Sequence, residues 1–167
     1  MVGYVTIHYA MNSLLVCKSI HHSNTLKVSE AMAEEMDADI LSPEAVDANT
    51  IEQYDIIGIG SGIYFGKHHR SIFEFIRKID TFSGKHVFVY YTSGFTKFPV
   101  LKEFEKPLVD ELVKKNVSIL ASFSCRGWNT YGPFRIGGGR SKGHPSSEDL
   151  ENARQFARDL LSTLNPT

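Results

Sequence analysis

Apolar blocks alternate along the chain with stretches of helical spacing. Residues 14–18, 56–60 and 86–91 are nearly continuous in apolar side chains, as strands covered on both faces are. Residues 38–41 and 117–123 complete a predicted set of five strands. Between the strands, apolar positions recur at intervals of three and four. Val28, Ala31, Met32 and Met36 predict a helix over 24–36, and Ile72, Phe75, Ile76 and Ile79 predict another. A helix over 100–115 contains Pro107, which either kinks it or begins its second half. The last helix carries Leu150, Ala153, Ala157, Leu160, Leu161 and Leu164 on one stripe. Its start is marked by Ser146 with Asp149 three residues on, the spacing of a capping box.

This alternation predicts an α/β fold: a doubly wound parallel five-stranded sheet in the order 2-1-3-4-5, with right-handed crossovers. Strands one and five are not neighbours in that order. Cys17 and Cys125 are therefore expected to lie too far apart for a disulfide. Ligands of such sheets sit beyond the carboxyl ends of the strands, where strands one and three diverge.

The 167 residues are expected to form one domain over 13–167, with 1–12 as an N-terminal extension ending around the second methionine, Met11. Net charge is −1, so no general attraction to nucleic acid or to an anionic membrane is expected. No apolar run approaches the ~20 residues of a membrane span, and no secretory leader is evident. Both cysteines fall in strand patterns and read as core thiols, for which the reducing cytoplasm is the expected setting.

Three loops then decide the chemistry. The first, Ser19-Ile20-His21-His22-Ser23-Asn24-Thr25, runs from a strand into a helix. It gathers backbone N–H groups and short polar side chains at a helix N-terminus, which suits a phosphate. No lysine sits inside it, so it is not a glycine-lysine nucleotide loop; a plain helix cap would use the same residue types. The second is Gly60-Ser61-Gly62-Ile63-Tyr64-Phe65-Gly66, and the third is Thr92-Ser93-Gly94-Phe95. Together they suggest a slot for a flat ring, with aromatic side chains to stack on it. The pairs His21-His22 and His68-His69 lack a carboxylate or cysteine at metal-ligand spacing. His68, His69 and Arg70 read as solvated, the alternative being contact with an anionic or quinone substrate. No nucleophile and base can be paired from spacing, so catalysis here falls to a cofactor.

These loops resemble those of the flavodoxin family. Asn24 and Thr25 match the end of that family's phosphate loop, T/S-x-T-G-N-T, while Ile20 replaces a hydroxyl, His22 a threonine and Ser23 a glycine. The second loop is similar to the family's G-S-x-I-Y-x-G. The run from Gly60 through Phe75 also resembles the flavodoxin-like menaquinone-dependent protoporphyrinogen oxidases. The resemblance implies a flavodoxin-like three-layer fold and FMN held without a covalent link. Ser19, His21, His22, Ser23, Asn24 and Thr25 would hold its phosphate. The backbone of Ser61, Gly62, Ile63 and Tyr64 would border the reactive edge of the ring, and Thr92, Ser93 and Gly94 would line the pyrimidine edge. It further implies electron transport, with a redox partner protein or a quinone-like small molecule as partner. Electron-carrier flavodoxins are typically very acidic, whereas this chain is near neutral; that departure tilts the expectation toward an oxidoreductase with a less negative potential. The alternatives are an electron carrier that docks on protein redox partners and, given the altered phosphate loop, a flavin-free module of the same fold.

The stretch from Arg126 to His144 is long for a connection between a strand and a helix. Its Trp128, Tyr131 and Phe134 suit either a cover for a ligand at the carboxyl edge or an aromatic anchor for the sheet edge or a dimer contact.

Overall fold

A computed structural model describes residues 11–94, 100–130 and 138–165, with the backbone alone for 100–102. Six strands and five helices follow in the order β1 (Ser13–Lys18), α1 (Asn24–Met36), β2 (Asp39–Leu41), α2 (Ala48–Glu52), β3 (Ile56–Tyr64), β4 (Lys67–His68), α3 (Arg70–Lys78), β5 (His86–Ser93), α4 (Val100–Val113), β6 (Ile119–Arg126) and α5 (Ser147–Leu164). The parallel sheet runs β2-β1-β3-β5-β6, and β4 is a two-residue antiparallel addition to the end of β3. With β4 set aside this is the expected order.

Alternate strand residues feed two cores. Val16, Ile57, Ile59, Val87 and Val89 pack under α3 and α4 with Ile72, Phe75, Ile76, Leu108 and Leu112. Leu15, Ile56, Phe88 and Tyr90 pack under α1 and α5 with Val28, Met32, Ala153 and Ala157. Helices on both faces explain why the central strands are apolar on both sides. The capping box of α5 forms with both arms, between Ser146 and Asp149. Pro107 lies inside α4, which continues through it.

Several element boundaries differ from the sequence expectation: β6 runs from Ile119 to Arg126 rather than over 117–123, and α4 ends at Val113. β3 runs on through Tyr64, because Ile63 and Tyr64 find partners in His68 and Lys67. β5 includes Thr92 and Ser93, paired to Cys125 and Arg126. Met11 packs on the core, and Asn12 accepts the N–H groups of Asp55 and Ile56; residues 1–10 lie outside the described residues. Cys17 and Cys125 are free thiols on β1 and β6, with β3 and β5 between them.

Candidate functional site

β1 delivers Lys18 to the carboxyl edge, where it pairs with Glu44 at 2.6 Å. The chain then turns through 19–23 into α1. His22 and Ser23 both take the left-handed region, with φ of 54° and 53°. Ser23 stands at the N-cap position, yet its hydroxyl makes no capping bond. Asn24 and Thr25 are buried and do not cap either. Asn24 donates its amide N–H to the Trp128 carbonyl at 2.8 Å, which leaves its buried Oδ1 without a partner among the described residues. Thr25 Oγ1 lies 2.9 Å from Thr92 Oγ1. No acceptor among the described residues meets the N–H groups of Thr25 and Leu26. The helix thus presents open donors at its N-terminus, where its dipole favours an anion. Ser19 is half-buried at the start of the turn, and His21 is exposed.

The second loop is a hairpin rather than an irregular segment. Phe65 and Gly66, at φ of 51° and 77°, form its two-residue turn between β3 and β4. Positive φ at both central positions matches the twist of the flanking strands. Phe65 is 82% exposed. The Tyr64 ring folds back over Gly62, where an added Cβ would meet the phenol oxygen at 2.7 Å. That oxygen accepts the Ile20 N–H at 3.0 Å, with the His21 N–H also directed at it. Burial pushes the Tyr64 phenol up from its ordinary range, so it is neutral and acts here as an acceptor. One side chain of the second loop therefore sits in the mouth of the first.

Behind this hairpin Ser61 organises a buried group of polar atoms. Its hydroxyl donates to the Gly62 carbonyl at 2.8 Å, accepts the His69 N–H at 3.2 Å and lies 3.0 Å from His68 Nδ1. With that proton spent on Gly62, His68 carries its own on Nδ1 and donates it to Ser61, which leaves Nε2 buried and without a partner among the described residues. Burial pushes His68 down to about 4. His68 is 4% exposed, which corrects the expectation that it is solvated. His69 caps α3 by accepting the Ser71 N–H, and Arg70 is exposed and paired with Glu74.

At the third position Thr92, Ser93 and Gly94 are buried at the end of β5. The Ser93 carbonyl accepts the Gly127 N–H at 2.9 Å, and the Gly94 carbonyl accepts the Ser141 hydroxyl at 3.4 Å. Beneath them Ser29 donates to the Thr25 carbonyl and meets the Tyr90 hydroxyl at 2.7 Å. Burial pushes the Cys17 thiol up, and the Cys125 thiol up to about 12. Neither is a ready nucleophile.

The segment after β6 returns over this edge. Trp128 stacks on His22 with ring centroids 4.0 Å apart, and Thr130 Oγ1 lies 2.8 Å from His22 Nε2. Asn129 and Arg140 bridge through paired backbone bonds of 2.8 and 2.7 Å. Trp128 thus lies at the carboxyl edge, against the first loop; Tyr131 and Phe134 lie outside the described residues. The three loops meet at one edge, and the turn, Tyr64 and Trp128 form a continuous surface. Sequence reasoning missed the Ser61–His68 pair and the placement of Trp128 on the turn. Among the described residues no group of His, Cys, Asp and Glu is arranged to hold a metal ion, and no helix is long and apolar enough to cross a membrane.

The pattern that defines the flavodoxin domain matches residues 15–124. This chain belongs to the flavodoxin family. A relative from Methanocaldococcus jannaschii, itself an uncharacterized protein, is 47% identical over 152 residues, which are 90% of this chain and 99% of the relative. Among solved structures the chain is similar to a flavodoxin from the domain Archaea, with a TM-score of 0.65 and 13% identity over 92% of this chain and 98% of that one. It is also similar to oxidised flavodoxin 1 from Bacillus cereus, with a TM-score of 0.63 and 18% identity over 92% of this chain and 100% of that one. A rubredoxin oxygen:oxidoreductase from Desulfovibrio gigas matches with a TM-score of 0.65 and 14% identity over 92% of this chain; the flavodoxin-family chain spans 37% of its length. These structural likenesses bear on the fold.

Proposed function

We propose that this flavodoxin-family chain binds FMN without a covalent link at the carboxyl edge. In this reading it acts in the cytoplasm as an FMN-dependent oxidoreductase that passes electrons to a quinone or a similar acceptor. The observation that carries the reading is the pair of open N–H groups, of Thr25 and Leu26, at the point where the three loops meet. The residues fit the group. Buried Asn24 and Thr25 fix the turn from behind, and Ile20 N–H, now taken by a phenol oxygen, points where a phosphate oxygen would find it.

When bound, FMN supplies the electron storage for the reaction. The chain's own residues bind and orient it. Ser19, His21, His22, Ser23, Asn24 and Thr25 would hold the phosphate. The backbone of Ser61, Gly62, Ile63 and Tyr64 would border one edge of the ring, and Thr92, Ser93 and Gly94 would line another. Tyr64 must rotate away from Gly62 to admit the ring, and its aromatic face then becomes available for stacking.

The absorption spectrum of the purified protein and its titration with FMN test the reading. A flavin spectrum, or FMN uptake with a 1:1 end point, supports it; a colourless protein that takes up no FMN overturns it. Replacing Asn24 or Thr25 by alanine should weaken FMN more than riboflavin, and equal loss for both ligands would argue against a phosphate in the turn. A second reading, an electron carrier that docks on protein partners, is favoured by exposed cations spread across the edge at Lys67, Arg126 and Lys142. Turnover of NAD(P)H or a quinone by the purified protein separates the two, because a carrier shows none.

A further inference from the structure

Although the net charge is only −1, charge is not evenly distributed over the chain. At the carboxyl edge the described segments 18–24, 61–70, 93–94, 126–130 and 138–146 hold Lys18, Lys67, Arg70, Arg126, Arg140 and Lys142, five histidines, and no aspartate or glutamate. Two of these cations are neutralised locally, Lys18 by Glu44 and Arg70 by Glu74, each at 2.6 Å. Lys67, Arg126 and Lys142 are exposed and make no ion pair among the described residues. Besides Glu44 and Glu74, the acidic side chains near this edge stand on α4 and α5, where Glu105 is half-buried and interacts with Tyr91. Glu103 and Glu148 are exposed there, while Asp149 is taken up by Ser146 and His144.

We infer that this edge is a cationic docking face for the acidic surface of a partner protein. The inference deepens the carrier reading and rests on it only in taking the edge as the redox edge. The cations come from the β3–β4 hairpin, the end of β6 and the loop before α5. With strands about 4.8 Å apart, β3 to β6 alone covers roughly 10 Å, too broad and too little convergent for one small anion. Spacings near the ~10 Å Debye length let the charges add into one positive field. Phe65, 82% exposed in the left-handed region beside Lys67, adds an apolar knob to that field. Aromatic and arginine side chains are the types that interfaces enrich. An anionic lipid surface fits less well. Ile20 and Phe65 are the large hydrophobics exposed on this edge among the described residues, and stable membrane attachment needs more buried apolar area than that.

Trp128 is the single tryptophan of the chain and lies on this edge, so its fluorescence reports the local field without flavin or partner. The test compares quenching by iodide and by caesium, in wild type and in the K67E/R126E/K142E variant, whose fold is checked by circular dichroism. At low ionic strength the iodide-to-caesium ratio should fall about threefold in the variant, and the difference should vanish in 1 M salt. K78E, at the far end of α3, should leave the ratio unchanged. A plant-type ferredoxin, used as the acidic probe, should shift amide resonances around Lys67, Arg126 and Lys142 at low salt and bind the variant at least about tenfold more weakly. Equal quenching ratios in wild type and variant would overturn the inference. So would sedimentation with phosphatidylglycerol vesicles together with no ferredoxin-induced shifts, which would assign the face to a membrane. A protein that takes up no FMN yet passes both arms would sink the FMN reading and leave the docking face standing.

Discussion

Thr25 and Thr92 meet hydroxyl to hydroxyl at 2.9 Å, each almost wholly buried, across the join between α1 and β5. One donates and the other accepts, so removing either hydroxyl strands the other away from water. Thr25→Val and Thr92→Val should each cost about 1–2 kcal/mol in urea unfolding. The double variant should cost clearly less than the sum, because no hydroxyl is then left unpaired. Additive costs would show that the two side chains do not hold the first and third loops together.

Tyr64 competes with a ligand for the Ile20 N–H. Tyr64→Phe keeps the ring and removes the competing oxygen. Its lost hydrogen bond, worth about 1 kcal/mol, should appear as FMN binding about fivefold tighter in a fluorescence titration. Unchanged or weaker binding would mean that the phenol is not in the way of the phosphate.

The strands and the helices α1, α3, α4 and α5 were legible because burial on both faces and a stripe on one face leave different periods in the chain. Val87, Phe88, Val89 and Tyr90 read as a central strand and are one. The β3–β4 hairpin was not legible. Its turn uses Phe65 where asparagine or aspartate usually precedes the glycine, and β4 is only two residues long. The three loops were identified from their residue types, yet their mutual contacts were out of reach. The Trp128–His22 stack joins positions 106 residues apart in sequence and depends on how the segment after β6 folds back. The burial of His68 was missed for a related reason. A histidine beside Lys67, His69 and Arg70 looks solvated until Ser61 and Tyr91 are seen around it.

Ser23 holds φ at 53° where the family's loop has glycine, and its side chain makes no capping bond in return. A residue with a Cβ is disfavoured in this region by about 1–2 kcal/mol, partly offset by the greater freedom of glycine in the unfolded chain. Ser23→Gly should therefore raise stability by roughly 0.5–1 kcal/mol in thermal or urea unfolding. If the hydroxyl also contacts a phosphate, the same variant should weaken FMN while leaving riboflavin unchanged. A loss of stability would show that the serine side chain supports the turn in a way its hydrogen bonds do not reveal.

His68 makes stability depend on pH with a definite sign. Its folded-state value is lowered to about 4 by burial, against an ordinary value of 6.5. The unfolded chain therefore binds a proton between those values that the folded chain does not. The stability that comes from keeping His68 neutral is complete above about pH 6.5, falls as pH drops through that window, and is gone below about pH 4. The loss is on the order of 3 kcal/mol from this one group. His68→Phe, which fills the space without a titrating nitrogen, removes this dependence, although it leaves Ser61 with one fewer partner. Urea unfolding of both proteins at pH 7.5 and at pH 5 measures the difference. Wild type should lose markedly more stability than the variant over that interval. Parallel losses would mean that His68 stays protonated in the fold or that water reaches its Nε2.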